Sequence, residues 1–326
     1  MLWLLAIIGA ALIVYTLVYV FSVFYFDCDL SLAYHEKFGK PIESLKGKVV
    51  FITGASSGIG EHTAYAFAKR GVKLVLAARR KIELDRVKQE CLQLSNGALG
   101  AEDVLVLEMD MLKLDKHEEY FKTAVDHFGT IDVIFNNAGR SQRGIWERIA
   151  MQVDKEMFEL NLFSVINLTR VALAHFTEKG KGHVVVTSSV AGVFGVPHSA
   201  SYTGSKHALH GYMNALRNEK LRANIAVSVI CPGTVFTNFL QHSFTEQPGV
   251  MFGIKVQPTD HRMKAERCGE LCAVTIANQL NESWMALFPF LPLLYITYFP
   301  NICSALMRYL GPEGYYKLRD NRKLDF

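Results

Sequence analysis

The chain has 326 residues, of which 50% are hydrophobic, and a formal net charge of +4. This length can bury one sizeable core plus an appendage. The lysines and arginines are scattered and form no basic tract with interleaved aromatics, so the sequence argues against a nucleic-acid-binding protein. The six cysteines show neither paired metal spacing nor disulfide density, and we expect no metal site.

The N-terminal segment differs in composition from the rest of the chain. Residues 1–26 carry no charged side chain and are rich in leucine, isoleucine, valine and aromatics. As a helix the segment would be about 39 Å long, enough to cross a bilayer. A cleaved signal peptide is the alternative, but it would need a basic start and small residues before the cut, and this run ends in the bulky stretch 23–26. The composition therefore favours a membrane anchor over 1–26, followed by a polar linker over 27–46.

The charges after the anchor bear on its orientation. Four lysines lie between residues 37 and 48 and no basic residue precedes the anchor, so the positive-inside rule places the body of the protein in the cytosol. Asp27 and Asp29, directly beside the anchor, weaken that argument. The side of the membrane that carries the catalytic domain therefore stays open.

The first motif of the main domain is a glycine-rich turn between two apolar runs. Residues 48–53 suit a buried parallel strand, and the turn Thr53–Gly60 leads from them into a helical pattern that stops at Gly71. A second apolar strand is predicted over 73–78. Strand, glycine-rich turn, helix and strand in this order form the dinucleotide-binding βαβ unit, whose helix N-terminus binds the pyrophosphate.

The residues that end the second predicted strand indicate which dinucleotide binds. An acidic residue there would accept the adenosine ribose hydroxyls of NAD, but Ala78 occupies that position and Arg79 and Arg80 follow. Arginine is suited to a ribose 2′-phosphate. A solvated basic pair is the alternative, yet cations are unfavourable where a helix begins. The sequence therefore favours NADPH/NADP+ over NADH.

The alternation of strands and helices continues along the chain. Further strands are predicted over 104–109, 131–135, 184–187 and 226–230, with helical stretches between them. Asp110, which follows the first of these strands, is placed to face the adenine. The pattern predicts an α/β fold with a doubly wound parallel sheet of the Rossmann type, forming one domain over 47–282.

A second motif supplies candidate catalytic residues. Tyr202 and Lys206 are four residues apart on a predicted helix and share one face. An ammonium near a phenol favours the phenolate, so we expect Lys206 to lower the pKa of Tyr202. The Ser189 hydroxyl could hold a carbonyl or alcohol oxygen beside them. Because the nucleotide-binding turn precedes this set, the sequence indicates an oxidoreductase.

Together these motifs resemble the short-chain dehydrogenase/reductase superfamily over roughly residues 47–280. The resemblance implies that Tyr202 is the general acid/base, that Lys206 tunes it and bonds the nicotinamide ribose, and that Ser189 anchors the substrate oxygen. It also implies that Asn161 supports a water relay, although Asn161 could equally satisfy a backbone carbonyl at a helix kink. The cofactor contacts that it implies are Gly54, Ser56, Ser57, Gly58, Ile59, Gly60, Asn137, Ala138, Tyr202, Lys206, Gly233, Val235 and Thr237.

Two further segments, 140–143 and 263–268, are similar to a membrane-anchored branch of this superfamily that is related to the hydroxysteroid dehydrogenases of the endoplasmic reticulum. That similarity implies interconversion of a lipophilic carbonyl and its alcohol (steroid, retinoid or similar) at the endoplasmic reticulum membrane, and dimers are frequent in the superfamily. A membrane-tethered dinucleotide-binding scaffold or redox sensor with little turnover is the alternative. The complete catalytic set argues against it.

Two late regions are candidates for the substrate end. The stretch 234–261 is long for a connection and is predicted to be a lid or binding segment. Its aromatic candidates, with three from earlier in the chain, are Phe236, Phe239, Phe244, Phe252, Trp146, Phe194 and His198. The C-terminal extension 283–326 begins with an uncharged run that three prolines interrupt, which argues against a spanning helix there. We expect a last strand near 284–288 and a remainder that covers the pocket, lies in the membrane interface or is buried in a dimer contact.

Overall fold

A computed structural model describes residues 2–320 of the protein. The strands are β1 (Val49–Thr53), β2 (Lys73–Ala78), β3 (Val104–Glu108), β4 (Val133–Asn136), β5 (Gly182–Thr187), β6 (Ile225–Pro232) and β7 (Glu282–Met285). They form one seven-stranded parallel sheet in the order β3-β2-β1-β4-β5-β6-β7. The predicted doubly wound fold is confirmed.

Helices cover both faces of the sheet. They are α1 (Leu2–Tyr25), α2 (Leu30–Phe38), α3 (Gly58–Ala68), α4 (Lys81–Leu94), α5 (His117–Phe128), α6 (Met151–Phe158), α7 (Ser164–Lys179), α8 (Ala200–Glu219), α9 (Ala265–Asn278), α10 (Phe290–Ile296) and α11 (Pro300–Asp320). Along β1, Phe51 packs into one core while Val50 and Ile52 pack into the other. All five residues of β1 are buried, which explains why the strand is an uninterrupted apolar run.

Strand boundaries differ from the sequence prediction where pairing and polar contacts determine them. β4 begins at Val133 because the Asp132 carboxylate accepts hydrogen bonds from the Val49 backbone (3.0 Å) and from Lys179 Nζ (2.7 Å). β5 begins at Gly182, which pairs with Ile225 of β6. The last strand lies slightly earlier than predicted, at Glu282–Met285.

The N-terminal helix is a candidate membrane span. α1 has 24 residues, and the side chains of its most apolar window are not buried by the rest of the protein. It contacts the body through aromatic pairs with the C-terminal region, in which the Tyr19 and Tyr295 ring centroids are 5.3 Å apart and those of Phe24 and Phe288 are 5.7 Å apart. The apolar helical stretch 151–179 is also long enough to span a membrane, but it is half-buried as a core helix.

Residues 27–46, predicted as a linker, include α2 and are fastened to the last strand. Asp29 Oδ2 accepts a hydrogen bond from the Trp284 backbone (2.7 Å), and Asp29 Oδ1 caps α2 at Leu32 N (3.0 Å). Arg267 of α9 forms ion pairs with Asp27 and Glu36. These contacts hold the end of the anchor against the edge of the sheet.

The C-terminal segment packs against the domain as two helices. α10 buries most of its apolar side chains in the core, and α11 is broken at Gly311, which has a φ of 63°. Tyr298 and Phe299 lie between the two helices and Ile302 lies near the start of α11, and all three side chains are exposed. The final part of the predicted polar tail, 321–326, lies outside the described residues.

Candidate active site

One cleft with a volume of about 640 Å³ runs along the carboxyl ends of the strands. Most of the predicted site residues line it, namely Gly54, Ser56, Ser57, Gly58, Ile59, Arg79, Arg80, Asp110, Asn137, Ala138, Ser189, Tyr202, Lys206, Gly233, Val235 and Thr237. The other two, Gly60 and Asn161, lie behind its surface and contact the residues that line it. The structure thus brings the predicted cofactor and catalytic residues to one site.

The glycine-rich turn leaves room for a ligand because it carries so few side chains. Gly54 and Gly58 have φ angles of +68° and +63°, which favour glycine. A Cβ on Gly60 would lie 2.5 Å from the Gly54 carbonyl oxygen, so a larger residue there would force the turn open. The turn leads into the first backbone N–H groups of α3, which are suited to bind a pyrophosphate. The residues present therefore fit a dinucleotide.

Two arginines stand where β2 ends beside this turn. Arg80 Nη2 donates hydrogen bonds to Ser56 Oγ (3.0 Å) and Ser57 Oγ (2.9 Å). Arg79 is exposed and lines the cleft. Two residues after β3, Asp110 Oδ1 accepts a hydrogen bond from Leu112 N (3.1 Å) at the edge of the same cleft. This end of the cleft thus carries two cations close to the glycine-rich turn.

Asn137 ties together the ends of three adjacent strands. Its amide nitrogen donates to the Thr53 carbonyl (3.1 Å), and its amide oxygen accepts from Thr187 Oγ1 (3.1 Å). The backbone N–H of Ala138 donates to Thr53 Oγ1 (3.0 Å). This network fixes the floor of the cleft between β1, β4 and β5.

Ser189 and Tyr202 meet in the middle of the cleft. Ser189 Oγ accepts a hydrogen bond from Ala191 N (3.1 Å) and donates to the Pro232 carbonyl (3.3 Å). The Tyr202 phenol lies close enough to the Ser189 hydroxyl for that hydroxyl to lower the pKa of Tyr202. Ser199 precedes α8, which carries Tyr202 and Lys206 on one face. The Ser189 and Tyr202 side chains therefore line the same part of the cleft.

Lys206 is buried next to Tyr202 but does not point at the phenol. Its Nζ donates to the Thr187 carbonyl (2.7 Å) and lies 5.8 Å from the centroid of the Tyr202 ring. Burial lowers the pKa of Lys206 to about 8. Burial also raises the pKa of Tyr202, and the nearby Ser189 hydroxyl and Arg143 charge only partly oppose this. The prediction that Lys206 lowers the pKa of Tyr202 is therefore wrong: the pKa is raised by desolvation, and the groups that oppose the rise are Ser189 and Arg143.

Asn161 lies in a π-helical turn, Glu159–Phe163, between α6 and α7. Its amide nitrogen donates to the Arg140 carbonyl (2.9 Å) and to Ser205 Oγ (3.1 Å), and its amide oxygen accepts from Arg140 N (2.9 Å). A Cβ on Gly139 would lie 3.0 Å from that oxygen and 3.6 Å from Lys206 Nζ. Asn161 therefore satisfies backbone groups at a helix irregularity and holds the loop beside Lys206. Its role in a water relay stays a prediction.

The predicted binding segment 234–261 contributes two of its four phenylalanines to the cleft. Phe239 and Phe244 line the cleft, and the Phe239 ring centroid is 6.1 Å from that of Tyr202. Of the other aromatic candidates, Trp146 is 76% exposed and Phe194 lies behind the wall against Tyr315, with centroids 5.3 Å apart. The irregular segment thus forms part of the wall nearest the proposed catalytic residues.

The C-terminal extension contributes to the cleft, which was one of its three predicted alternatives, but its contributing residues were not predicted from the sequence. Phe290 of α10 and Tyr315 and Arg319 of α11 line the cleft with Tyr202. Arg319 Nη1 donates to Ser199 Oγ (3.2 Å), and Arg143 Nη1 donates to the same oxygen (3.0 Å). Tertiary packing brings α11 here from far along the chain, and no residue spacing signals it. Of the residues named here, only Arg143 lay in a segment that the sequence analysis had singled out, because 140–143 is similar to the membrane-anchored branch.

Comparisons with known proteins place these motifs in a family. The sequence profile described as short chain dehydrogenase matches residues 48–248. Dehydrogenase/reductase SDR family member 7 of Homo sapiens is 39% identical over 298 residues, which cover 91% of this chain and 86% of the human protein. The Mus musculus protein of that name is 37% identical over 324 residues, 98% of this chain and 94% of its own length. The branch resemblance carried by 140–143 and 263–268 is to family member seven, and it is confirmed.

More distant proteins share the fold. The 11-beta-hydroxysteroid dehydrogenase-like 2 of Arabidopsis thaliana is 36% identical over 211 residues, 64% of this chain and 66% of that protein. A solved alcohol dehydrogenase from the archaeon Thermococcus sibiricus, complexed with 5-hydroxy-NADP, superposes with a TM-score of 0.61 at 27% identity over 70% of this chain and 90% of its own. This fold binds a nicotinamide dinucleotide. The chain belongs to the short-chain dehydrogenase/reductase family of oxidoreductases.

Proposed function

We propose that this protein is an NADP(H)-dependent oxidoreductase that interconverts a lipophilic carbonyl and its alcohol, with Tyr202 as the general acid/base. The observation that carries the proposal is that Ser189, Tyr202 and the buried Lys206 line the same cleft as the glycine-rich turn. A protein that only bound a dinucleotide would need no buried phenol beside a buried lysine.

The side chains divide the reaction between them. The bound dinucleotide supplies a hydride to the carbonyl carbon, or accepts one in the reverse direction. Ser189 holds the substrate oxygen, and Tyr202 donates a proton to it during reduction. Because burial raises the pKa of Tyr202, the phenol stays protonated near neutral pH, which is the form that reduction requires. Lys206 stabilises the phenolate that remains.

The preference for NADP(H) rests on the end of β2. Arg79 and Arg80 lie at the cleft where a ribose 2′-phosphate would bind, and Ala78 offers no carboxylate to the ribose hydroxyls of NAD. The NADP analogue in the archaeal relative supports this assignment. Arg79→Ala should weaken NADPH binding about ten- to a hundredfold, since a charged hydrogen bond is lost, and should leave NADH binding nearly unchanged.

The substrate class and the location are argued from apolar surfaces. Phe239, Phe244, Phe290 and Tyr315 line the cleft, and an apolar wall is suited to a lipophilic carbonyl such as a steroid or retinoid. We place the protein at the endoplasmic reticulum membrane, with α1 as its anchor, and we propose that the exposed Tyr298, Phe299 and Ile302 contact the lipid surface beside α10 and α11. Substrates that partition into lipid would then reach the cleft from the membrane.

A substrate panel tests this function. The full-length protein would be mixed with NADPH, or with NADH in parallel, and with steroid, retinoid and small aromatic carbonyls, while NADPH absorbance is followed. We expect turnover with at least one lipophilic carbonyl, faster with NADPH. Tight NADPH binding without turnover across the panel would contradict the proposal and favour the dinucleotide-binding scaffold.

A further inference from the structure

Arg140 follows the Asn136–Gly139 turn that leaves β4, and its backbone is fixed on both sides. The Asn161 amide accepts from Arg140 N and donates to Arg140 O, each at 2.9 Å. Because both backbone groups are held by one buried side chain, the direction in which the Arg140 side chain leaves the loop is fixed. That side chain lines the dinucleotide cleft.

The Arg140 guanidinium is half-buried and lacks an anion. Within residues 2–320 it makes no hydrogen bond and no ion pair, and its nearest described partner is the face of the Phe244 ring, 5.0 Å from the guanidinium carbon to the ring centroid. Burial lowers the pKa of Arg140, and the charge of Arg79 lowers it further. Glu156 acts in the opposite direction from a greater distance than an ion pair, and its carboxylate accepts from Gln152 (3.0 Å).

The sheet order explains why two cations face each other here. β2 and β4 pair with β1 on its two sides, and the glycine-rich turn leaves the end of β1 between them. Arg79 follows β2 and Arg140 follows the turn after β4, so their side chains flank the phosphate turn at the same edge of the sheet. β2 and β4 are two strand spacings apart, about 9.6 Å, a distance that two arginine side chains together can bridge to one small anion.

A partly desolvated guanidinium beside a second cation is unfavourable until an anion joins them. Phe244 offsets only part of the lost hydration, because a ring face attracts the charge but cannot accept the five N–H bonds of the fork. A phosphate supplies both the negative charge and several acceptor oxygens, and guanidinium groups bind it in pairs of parallel bonds. The missing partner is therefore best supplied by the ligand of the cleft.

We propose that Arg140 is a phosphate-binding residue that acts together with Arg79 on the adenosine ribose phosphate of NADP(H), while Phe244 holds its guanidinium in place. This inference rests on the proposed NADP(H) preference. It assigns a second cation to the 2′-phosphate from the opposite side of the phosphate turn. It also places one side chain in contact with both the cofactor and the 234–261 segment that forms the substrate wall.

Binding titrations of the full-length protein test this without any reaction. The probes are NADPH and NADH, and the nucleotide pair adenosine 2′,5′-bisphosphate and adenosine 5′-monophosphate, which differ only in the 2′-phosphate. Arg140→Ala should weaken NADPH and the bisphosphate about tenfold or more and change NADH and the monophosphate less than about twofold. Arg140→Lys keeps the positive charge but loses the forked guanidinium, so its affinities for NADPH and the bisphosphate should lie between those of the wild type and of Arg140→Ala. Arg170→Ala removes an exposed arginine outside the cleft and should change none of the four affinities.

Unchanged binding of the monophosphate to Arg140→Ala shows that the cleft is intact in that variant, and Arg140→Lys provides the same comparison if the alanine variant does not fold. An equal loss for NADPH and NADH, or no loss for either, would overturn the inference. So would an effect confined to the KM of carbonyl substrates that carry an anionic group, which would assign Arg140 to the substrate. A wild-type protein that binds NADPH and NADH equally would instead contradict the proposed cofactor preference.

Discussion

The two ends of the cleft are built in different ways. The centre of the nucleotide end is local in sequence: it is the turn Thr53–Gly60, held so closely that a single Cβ on Gly60 would collide with the Gly54 backbone, and the arginines that follow β2 lie beside it. The substrate end is assembled from distant segments, including 234–261, α10 and α11. The first end is thus constrained by local turn geometry, whereas the second depends on tertiary packing, and Phe244 joins the two ends through its contact with Arg140.

A glycine substitution would break the nucleotide end most severely. In Gly60→Ala, the added Cβ would lie 2.5 Å from Gly54 O and 2.6 Å from Asn137 Nδ2, so the turn must open. We expect the free energy of unfolding to fall by about 1–3 kcal/mol and dinucleotide affinity to fall by more than tenfold. Thermal unfolding and NADPH titration measure both effects.

The matched control is Gly211→Ala in the exposed part of α8, where an added Cβ has nothing within 4 Å. Alanine is the better helix former, so this change should leave affinity unaltered and stabilise the protein by about 0.5–1 kcal/mol. If the two variants behave alike, the close packing of the phosphate turn does not matter for binding.

The pH dependence of turnover tests the middle of the cleft. Because the pKa of Lys206 is lowered to about 8, the ammonium is lost as the pH rises through that value, and with it the charge that stabilises the Tyr202 phenolate. Carbonyl reduction should therefore decline above about pH 8, by up to tenfold per pH unit. Lys206→Arg keeps the positive charge, so kcat/KM should be lower overall but the decline should move to higher pH. A decline that stays at the same pH in Lys206→Arg would show that another group causes it.

A change at the substrate end should affect the substrate alone. Tyr315 is 1% exposed, and its ring centroid is 5.3 Å from Phe194 and 6.1 Å from Phe290. Tyr315→Leu removes these aromatic contacts and should raise the KM for a lipophilic carbonyl about three- to tenfold, with NADPH affinity unchanged. Steady-state kinetics and a separate NADPH titration give the two values. Weaker NADPH binding with an unchanged KM for the carbonyl would contradict the assignment of α11 to the substrate end of the cleft.

The smallest expected effect concerns the surface beside the substrate end. The full-length protein in lipid nanodiscs would carry serine in place of Tyr298, Phe299 and Ile302, which are 67%, 60% and 58% exposed. If these side chains contact lipid, KM should rise several-fold for a carbonyl that partitions into the bilayer and stay constant for a water-soluble one. Leu221→Ser, which changes an exposed leucine after α8, should alter neither KM. A parallel rise for both substrates would contradict the membrane contact.

The contrast between the two ends also determines how much could be predicted from the sequence. Strands such as Val49–Thr53 and the glycine-rich turn are local patterns, and their order along the chain predicted the fold and most cofactor residues. Their exact ends were not predictable where a distant partner sets them, as Asp132 does for β4 through Val49 and Lys179. Gly60 was correctly associated with the turn, but it acts from behind the cleft by being small.

The substrate end shows where sequence patterns are insufficient. Arg319 and Tyr315 reach the cleft only because α10 and α11 fold back over it, and periodicity in α11 does not encode that position. The spacing of Tyr202 and Lys206 predicted their shared face, yet the pKa of Tyr202 depends on burial by residues from many segments. Arg140 lay within a segment that identified the branch. Only the three-dimensional structure shows that its half-buried guanidinium forms no ion pair within residues 2–320.

The most direct test of the central claim compares NADPH binding with single-turnover reduction of a lipophilic carbonyl in the wild-type protein and in Tyr202→Phe. The substitution removes only the phenolic hydroxyl, which lies beside the Ser189 hydroxyl in the cleft. If Tyr202 is the general acid/base, NADPH affinity should stay within about twofold while the rate of reduction falls about a hundredfold or more. A Tyr202→Phe protein that reduces the carbonyl at the wild-type rate would contradict the proposed mechanism.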